Sequence, residues 1–399
     1  MTNPIGTSDV DPKFYCSQKF WWLSVDLDKS QLQSCCSAAP QRVNFDWLRS
    51  NSGKLFNTPE LLAERAAMLN GLQVASCNGT CWIPESQGVA SRRLTMNSDK
   101  VTHTELHSDP EILNIMVGKD CNMTCSYCCK HYSTAWIREV QQHGDYDTVQ
   151  GRDDRLILND RDRVRLHVSQ RDLDTANRRL LIKEIGTLVH SGKLCGIMIS
   201  GGEPFLYNDL ADLLAQMPFA IPVTVWTGLG VDNKRLQRDL DTVSMYPNVS
   251  LVVSAENCDN LYEFNRAGNS WKRFEQNIEA IEQRRISFSF NSVLSNVTVF
   301  GLKKFIDWAG MVPAAFSSCT DPDYLALHVM DDQSKQIILD SVDQLPPEAK
   351  NLILQSIMIE PTPVQKQNCQ NYVKEFARRR QLRLDIFPES FVKWLDHVV

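Results

Sequence analysis

From residue 111 onward the chain alternates two patterns of apolar side chains. In short runs they recur at every second position or without a break; in longer stretches they recur every third or fourth. The short runs are EILNIMV (111–117), GIMIS (196–200), PVTVWT (222–227), VSLVVSA (249–255), ISFSFNSV (286–293) and YLALHVM (324–330), and they predict six strands. Helices are predicted between and after them, over roughly 170–191, 206–216, 232–242, 271–284, 300–310 and 333–345. In SWKRFEQNIEAIEQ, for example, Trp271, Phe274, Ile278 and Ile281 form one apolar stripe. Six βα units predict an α/β fold, a curved parallel sheet with helices outside. Such sheets carry their chemistry in the loops that leave the carboxyl ends of the strands. The polar and glycine-rich stretches fall there: GKDCNMTCSYC after the first strand, GGEP after the second, TGLG after the third, SAEN at the close of the fourth and NSVLSN at the end of the fifth.

Two stretches break this rhythm. Residues 1–105 lack it and are rich in Cys and Trp, which predicts a small N-terminal domain ahead of a main domain at 106–335 and a helical extension at 336–399. A charged insertion at about 138–180 interrupts the main domain; residues 151–180 hold eight arginines and six aspartates with no lysine or glutamate. That composition suits a solvated mixed-charge face, or else a surface that grips an anionic substrate or partner.

Composition narrows the classes. With 399 residues, 43% hydrophobic and 23% charged, the chain can bury a sizeable core. A net charge of -6 gives no global basic field, so duplex DNA is disfavoured as a partner. An RNA substrate is a weaker reading that rests on the arginine-rich insertion alone. No apolar run reaches the roughly 18 residues a membrane helix needs, and the first residues lack a charged and apolar leader pattern. The expectation is a soluble cytoplasmic protein whose thiols stay reduced, with no membrane partner. Of the 13 cysteines, nine precede residue 130, and that clustering points to metal.

Cys121, Cys125 and Cys128 stand in a C-x3-C-x2-C spacing. Three thiolates on one tight loop suit three irons of a [4Fe-4S] cubane and leave the fourth iron open to a ligand. The alternatives are a zinc site, which normally wants four ligands, and a redox dithiol, which needs two. The loop resembles the signature of the radical S-adenosylmethionine superfamily, with Tyr127 in the aromatic place of C-x3-C-x-aromatic-C. The GGEP motif of that family appears as Gly201, Gly202, Glu203 and Pro204. The resemblance covers residues 110–330. It implies a partial (β/α)6 barrel, an open iron chelated by the methionyl group of S-adenosylmethionine, and reductive cleavage to a 5′-deoxyadenosyl radical that takes hydrogen from a substrate. It also implies that Tyr127 lines the adenine side, that the GGEP backbone meets the methionyl ammonium, and that Ser254, Glu256 and Asn291 at the ends of strands four and five contact the cofactor. An electron donor such as flavodoxin or ferredoxin is implied as a partner.

The N-terminal cysteines, Cys16, Cys35 or Cys36, Cys77 and Cys81, can close a second, auxiliary [4Fe-4S] site, with zinc or plain core packing as alternatives. The run WWLSVDLD predicts a strand near the first of them. The phrase CNGTCW-x2-E-x2-G-x2-S-x-R and the tail LRLDIFPESFVKWL resemble the SPASM and twitch auxiliary-cluster modules of the same superfamily, although those are usually C-terminal to the barrel. This implies an oxidoreductase-type modification of a peptide or a small polar metabolite. Cys258, after SAEN, is a weak candidate for the residue that exchanges hydrogen with substrate. Cys319 is expected on the opposite edge of the sheet, Cys195 buried on the far side, and Arg266 as a solvated helix-start residue. A non-enzymatic zinc or redox module remains the competing class.

Overall fold

Residues 196–200 show how the sheet forms. Ile197 and Ile199 are buried against helices, while Met198 and Ser200 point the other way and are half-buried. The computed structural model describes residues 10–11, 13–88, 91–97, 103–150, 175–190 and 192–396. Residues 151–174, most of the arginine-rich part of the insertion, lie outside the described residues. The strands are β1 (Trp22–Asp26), β2 (Gln31–Gln33), β3 (Gln41–Arg42), β4 (Ile112–Met116), β5 (Gly196–Ser200), β6 (Val223–Thr227), β7 (Val249–Ser254), β8 (Ser287–Leu294) and β9 (Ala314–Ser318). They form one sheet in the order β3-β2-β1-β4-β5-β6-β7-β8-β9. From β1 through β4 to β9 every neighbouring pair is parallel; β2 and β3 are added antiparallel at one edge.

The first five expected strands are β4 to β8. The sixth is not at 324–330. There Tyr324, Leu325, Ala326, Leu327, Val329 and Met330 are all buried, without alternation, and pack among the C-terminal helices. The strand that closes the parallel order is AAFSS, β9, whose residues are half-buried or exposed and carry little apolar signal. The boundary drawn near residue 105 divides the sequence but not the sheet. WWLSVDLD does supply a strand, yet β1 pairs in parallel with β4, Trp22 against Ile112 through Asp26 against Met116.

One face of the sheet is apolar. Leu113, Ile115, Ile197, Ile199, Val223, Val225, Leu251 and Val253 pack against the helices Thr175–Leu188, Leu210–Leu214, Asn233–Ser244 and Trp271–Gln283. The other face is mostly polar: Ser24, Asn114, Met198, Thr224 and Ser250 follow one another across the strands, with Met198 the apolar member of the row. Asn114 donates to Ser24 Oγ at 3.2 Å and accepts from Ser200 Oγ at 3.1 Å. A parallel sheet covered by apolar layers on both sides reads as unbroken hydrophobic runs; this one alternates, so its second face is not packed as a core. The helices Pro347–Ser356, Pro363–Arg380 and Glu389–Asp396 build a second core with Trp136 of the helix Thr134–His143. Among the described residues no helix is long and apolar enough to cross a membrane.

Candidate functional site

The loop after β4 is clamped from several directions before any cysteine is considered. Gly118 turns the chain at φ 144°, where a Cβ would stand 2.2 Å from Tyr207 Oη. Tyr207 Oη accepts from Asp120 N at 2.8 Å and Asp28 accepts from Lys119 N at 3.3 Å. Arg178 then ties Asp28 to Asp209 and to the Val117 carbonyl. Further along, Thr124 N and Ser126 N donate to the carbonyls of Ala267 and Asn265 at 2.7 and 2.9 Å. Trp136 Nε1 donates to Cys125 O at 3.1 Å, and the Tyr372 hydroxyl donates to Ser126 O. The C-terminal helix Pro363–Arg380 therefore braces the cysteine loop.

Within this clamp Cys121, Met123 and Cys125 form a small buried cluster with Cys128 against it. Cys128 N donates to Cys125 O at 3.0 Å, and Cys121 Sγ accepts from Met123 N at 3.4 Å. Burial, and after it the charge of the neighbouring thiolate Cys125, pushes the Cys121 thiol up to about 12. Cys125 and Cys128 are raised by burial as well, and for Cys128 the next causes are Cys125, Cys129 and Cys121. Three thiols lie close enough to oppose one another's ionisation, and a bound cation reverses that effect. Among the described residues no three His, Cys, Asp or Glu side chains stand in metal-binding geometry. The donor chemistry of the three thiols fits an iron-sulfur group.

The GGEP loop lies directly on this loop. Gly202 N donates to Gly118 O at 2.8 Å and Glu203 N to Asp120 O at 2.7 Å. A Cβ on Gly201 would stand 2.4 Å from Gly118 O, and one on Gly202 2.3 Å from Asp120 O. The close approach that requires both glycines is thus to the cysteine loop itself. Glu203 is fully buried and accepts from Thr227 Oγ1 at 2.7 Å, Gly228 N at 3.0 Å and Phe205 N at 3.3 Å. Burial raises its pKa against those hydrogen bonds. It staples the second-strand loop to the third, and Pro204 opens a short 3-10 turn behind it.

Half-buried Tyr127 meets the buried pair Glu256 and Arg266. The Tyr127 hydroxyl donates to Glu256 Oε1 at 2.6 Å, Arg266 Nε donates to Glu256 Oε2 at 3.0 Å, and Arg266 Nη2 also bonds the carboxylate. Arg266 Nη1 reaches Cys125 Sγ at 3.7 Å, and its guanidinium lies 5.2 Å from the Tyr127 ring centroid. The expectation of a solvated Arg266 is corrected: its side chain is 6% exposed. The short helix Asp259–Asn265 folds it back onto Glu256, ten residues earlier, and a charged residue ending such a turn beside SAEN was the available signal. Ser254, the last residue of β7, and Asn291, within β8, are half-buried register partners.

The N-terminal cysteines also converge. Cys16, Cys77 and Cys81 share one buried cluster with Met68 and Trp82. Cys35 is buried and hydrogen-bonded to Gln18 Oε1 at 3.1 Å, whereas Cys36 is exposed. Burial pushes Cys16 up to about 11 and raises Cys77. Lys19, fully buried, pairs with Glu64 at 2.6 Å beside them. The residues of the phrase that follows Cys81 lock together: Arg93 pairs with Glu85, Ser91 bonds Glu85, and the Arg93 guanidinium lies 4.8 Å from the Trp82 ring centroid.

Other cysteines fall elsewhere. Cys258 packs in the core on the helix side of the sheet, with Lys304 and Glu275 among its charged neighbours. Cys319 follows β9 directly, so it sits at the carboxyl edge of the sheet, the reverse of the expectation. Cys195 precedes β5 and is exposed rather than buried. None of the 13 is in a disulfide.

No family model and no curated protein matches the chain. Solved structures similar to it include anSMEcpe with bound AdoMet, at 16% identity and TM-score 0.37, covering 58% of each chain. SuiB of Streptococcus suis bound to the precursor peptide SuiA is 16% identical at TM-score 0.34, covering 59% of this chain and 47% of that one. SuiB bound to S-adenosylmethionine is 13% identical at TM-score 0.34, covering 82% and 69%. The chain spans just over half the length of anSMEcpe.

Proposed function

We propose that the chain is a radical S-adenosylmethionine enzyme. The observation that carries this reading is the meeting of buried Cys121 and Cys125 with half-buried Cys128 on a loop that the GGEP segment packs against backbone to backbone. In this reading residues 106–335 form a partial barrel whose polar face is the substrate side, and 336–399 brace the cysteine loop. Residues 1–105 carry an auxiliary twitch- or SPASM-like cluster on Cys16, Cys35, Cys77 and Cys81. The burial of Cys35 against the exposure of Cys36 supports Cys35 as the fourth ligand.

The three thiols would hold a [4Fe-4S] cluster, with Tyr127, Gly201, Gly202, Glu203, Pro204, Ser254, Glu256 and Asn291 shaping the place beside it for S-adenosylmethionine. When bound, the cluster and S-adenosylmethionine would supply one-electron reductive cleavage of the sulfonium and, through it, hydrogen abstraction from an unreactive carbon. The residues of the chain position and shield. Gly201 and Gly202 let the second-strand loop approach, Glu203 keeps it joined to the third, and the Glu256–Arg266 pair fixes Tyr127 and puts a positive charge beside Cys125. Burial of these groups keeps water from the reacting atoms. The substrate is proposed to be a peptide or a small polar metabolite, reached in the cytoplasm. The packing of Cys258 on the helix side leaves it no support as the hydrogen-exchanging residue.

The test is anaerobic iron and sulfide content, followed by dithionite, S-adenosylmethionine and a search for 5′-deoxyadenosine. About eight irons per chain with cleavage support both clusters, and about four with cleavage support the first alone. Replacement of Cys121, Cys125 and Cys128 by alanine is expected to abolish cleavage while the N-terminal iron stays; unchanged cleavage sinks the assignment.

A further inference from the structure

A cavity of about 250 Å³ opens on the helix side of the sheet, near the amino ends of β8 and β9, where the helices Trp271–Gln283 and Leu302–Ala309 flank it. Phe288, Trp308 and Val312 line it and are only half-buried against the core. Met311, next to Val312, is fully exposed and extends the apolar surface. The Trp308 indole N–H has no acceptor among the described residues. One wall is a row of carboxylates, Glu275, Glu279 and Glu282, at i, i+4 and i+7 of the first helix. None of these side chains has a hydrogen-bond or ion-pair partner among the described residues. The cations on the two helices and at their ends do not answer them. Arg284 pairs with Asp241, Lys303 with Asp307 and Lys304 with Asp259, while Lys272, Arg273 and Arg285 neither line the cavity nor pair with the row. Like charges one turn apart oppose the helix that carries them. Apolar surface left open beside such a row marks an interaction site.

We propose that this groove docks a basic amphipathic helix of a partner polypeptide, its apolar side chains on Phe288, Trp308 and Val312 and its lysines or arginines opposite Glu275, Glu279 and Glu282. Size, spacing and sign select that occupant. The cavity is smaller than the roughly 300–1,000 Å³ of small-molecule pockets, so it seats one or two side chains rather than a whole metabolite. The carboxylates recur at each turn over about 10 Å, and a helix laid alongside meets them with cations at the same spacing. Their charge repels nucleic acid and anionic lipid and attracts a basic chain. Phe288 is the second residue of β8 and Val312 precedes β9, so the groove lies at the end of the strands away from the cysteine and GGEP loops. A partner held there leaves the carboxyl edge of the sheet free. The docking goes beyond the function proposed above and does not depend on it.

The probe is a synthetic, end-capped peptide of about four helical turns, with lysines at i, i+4 and i+7 and a stripe of leucines beside them; a mate carries glutamates in place of the lysines. Dissociation constants for the anaerobically prepared full chain are measured by fluorescence anisotropy at low and high salt. Glu279→Lys combined with Glu282→Lys, both exposed positions, is expected to weaken the lysine peptide by about tenfold or more at low salt, with the gap narrowing at high salt. Val312→Asp is expected to weaken it by about fivefold or more at both salts. Glu348→Lys, an exposed carboxylate on the helix Pro347–Ser356, stays within about twofold of wild type. Hydrogen exchange is expected to slow at 271–284 and 302–312 when the peptide binds. The proposal is overturned if wild type binds the lysine peptide no tighter than its mate, if Glu348→Lys weakens binding as much as the Glu279 and Glu282 changes do, or if the slowed exchange falls elsewhere. Sedimentation of wild type as a dimer that Glu279→Lys splits assigns the groove to a second copy and overturns it as well.

Discussion

Replacing Arg266 by methionine tests the triad beside Cys125 most directly. The guanidinium is 6% exposed and its partner carboxylate, Glu256, 1%. Methionine keeps much of the volume but removes both bonds to Glu256, leaving that carboxylate with Tyr127 Oη at 2.6 Å and Val293 N at 3.3 Å. Loss of one partner from a buried pair costs about 3–5 kcal/mol, because the remaining charge stays desolvated. The variant Glu256→Gln together with Arg266→Met removes both charges, so its loss falls short of the sum of the single losses by about 2 kcal/mol or more. Urea unfolding followed by tryptophan fluorescence measures the global effect, and hydrogen exchange across residues 119–130 and 256–266 measures the local one. An Arg266→Met midpoint equivalent to less than about 1 kcal/mol of destabilisation, or strict additivity in the double variant, refutes the reasoning.

Other expectations follow from single contacts. Gly202→Ala puts a Cβ 2.3 Å from Asp120 O, so the two loops must part, and iron retention after anaerobic desalting is expected to fall several-fold with the fold otherwise intact by circular dichroism. Thr227→Val removes the 2.7 Å bond to buried Glu203 and is expected to cost about 1–3 kcal/mol in urea, while Thr227→Ser stays within about 1 kcal/mol. Glu375 is held down to about 2 from an ordinary 4.5, chiefly by hydrogen bonds from Arg378 and then Arg379. Its contribution is present above pH 4.5 and disappears as the pH falls toward 2, so the gap between wild type and Glu375→Gln, about 1 kcal/mol after screening at this partly exposed pair, closes over that window in unfolding curves.

What could be read from the sequence depended on how local its cause was. β4 to β8 declare themselves because one face of each packs on helices, and GGEP and the cysteine spacing because their chemistry needs fixed residue types. AAFSS does not declare itself, since an edge strand buries little and its ladder bonds leave no mark on side-chain choice. YLALHVM misleads because a fully buried irregular segment has the same composition as a buried strand. Arg266 looks like surface until Glu256 is known to lie opposite it. The pairing of β1 with β4 is invisible, because nothing in Trp22–Asp26 says which strand across the intervening residues will take its bonds. Asp28, Arg178 and Tyr207 were missed for the same reason: each is an ordinary polar residue until the loops meet.

The seam between β1 and β4 orders events as the chain is made. β6 to β9 can each join a neighbour that was synthesised shortly before, whereas Ser24 meets Asn114, 90 residues later, and β4 waits almost as long for β5. During synthesis the strand Trp22–Asp26 and the five thiols around it emerge first and wait for Ile112–Met116 to arrive. Loop-closure entropy makes that late contact slow relative to the pairing of β6 to β9. Until it forms, the strand offers an unpaired edge and the cysteines lack part of their final surroundings, so oxygen during expression is expected to harm the N-terminal thiols before it harms Cys121, Cys125 and Cys128.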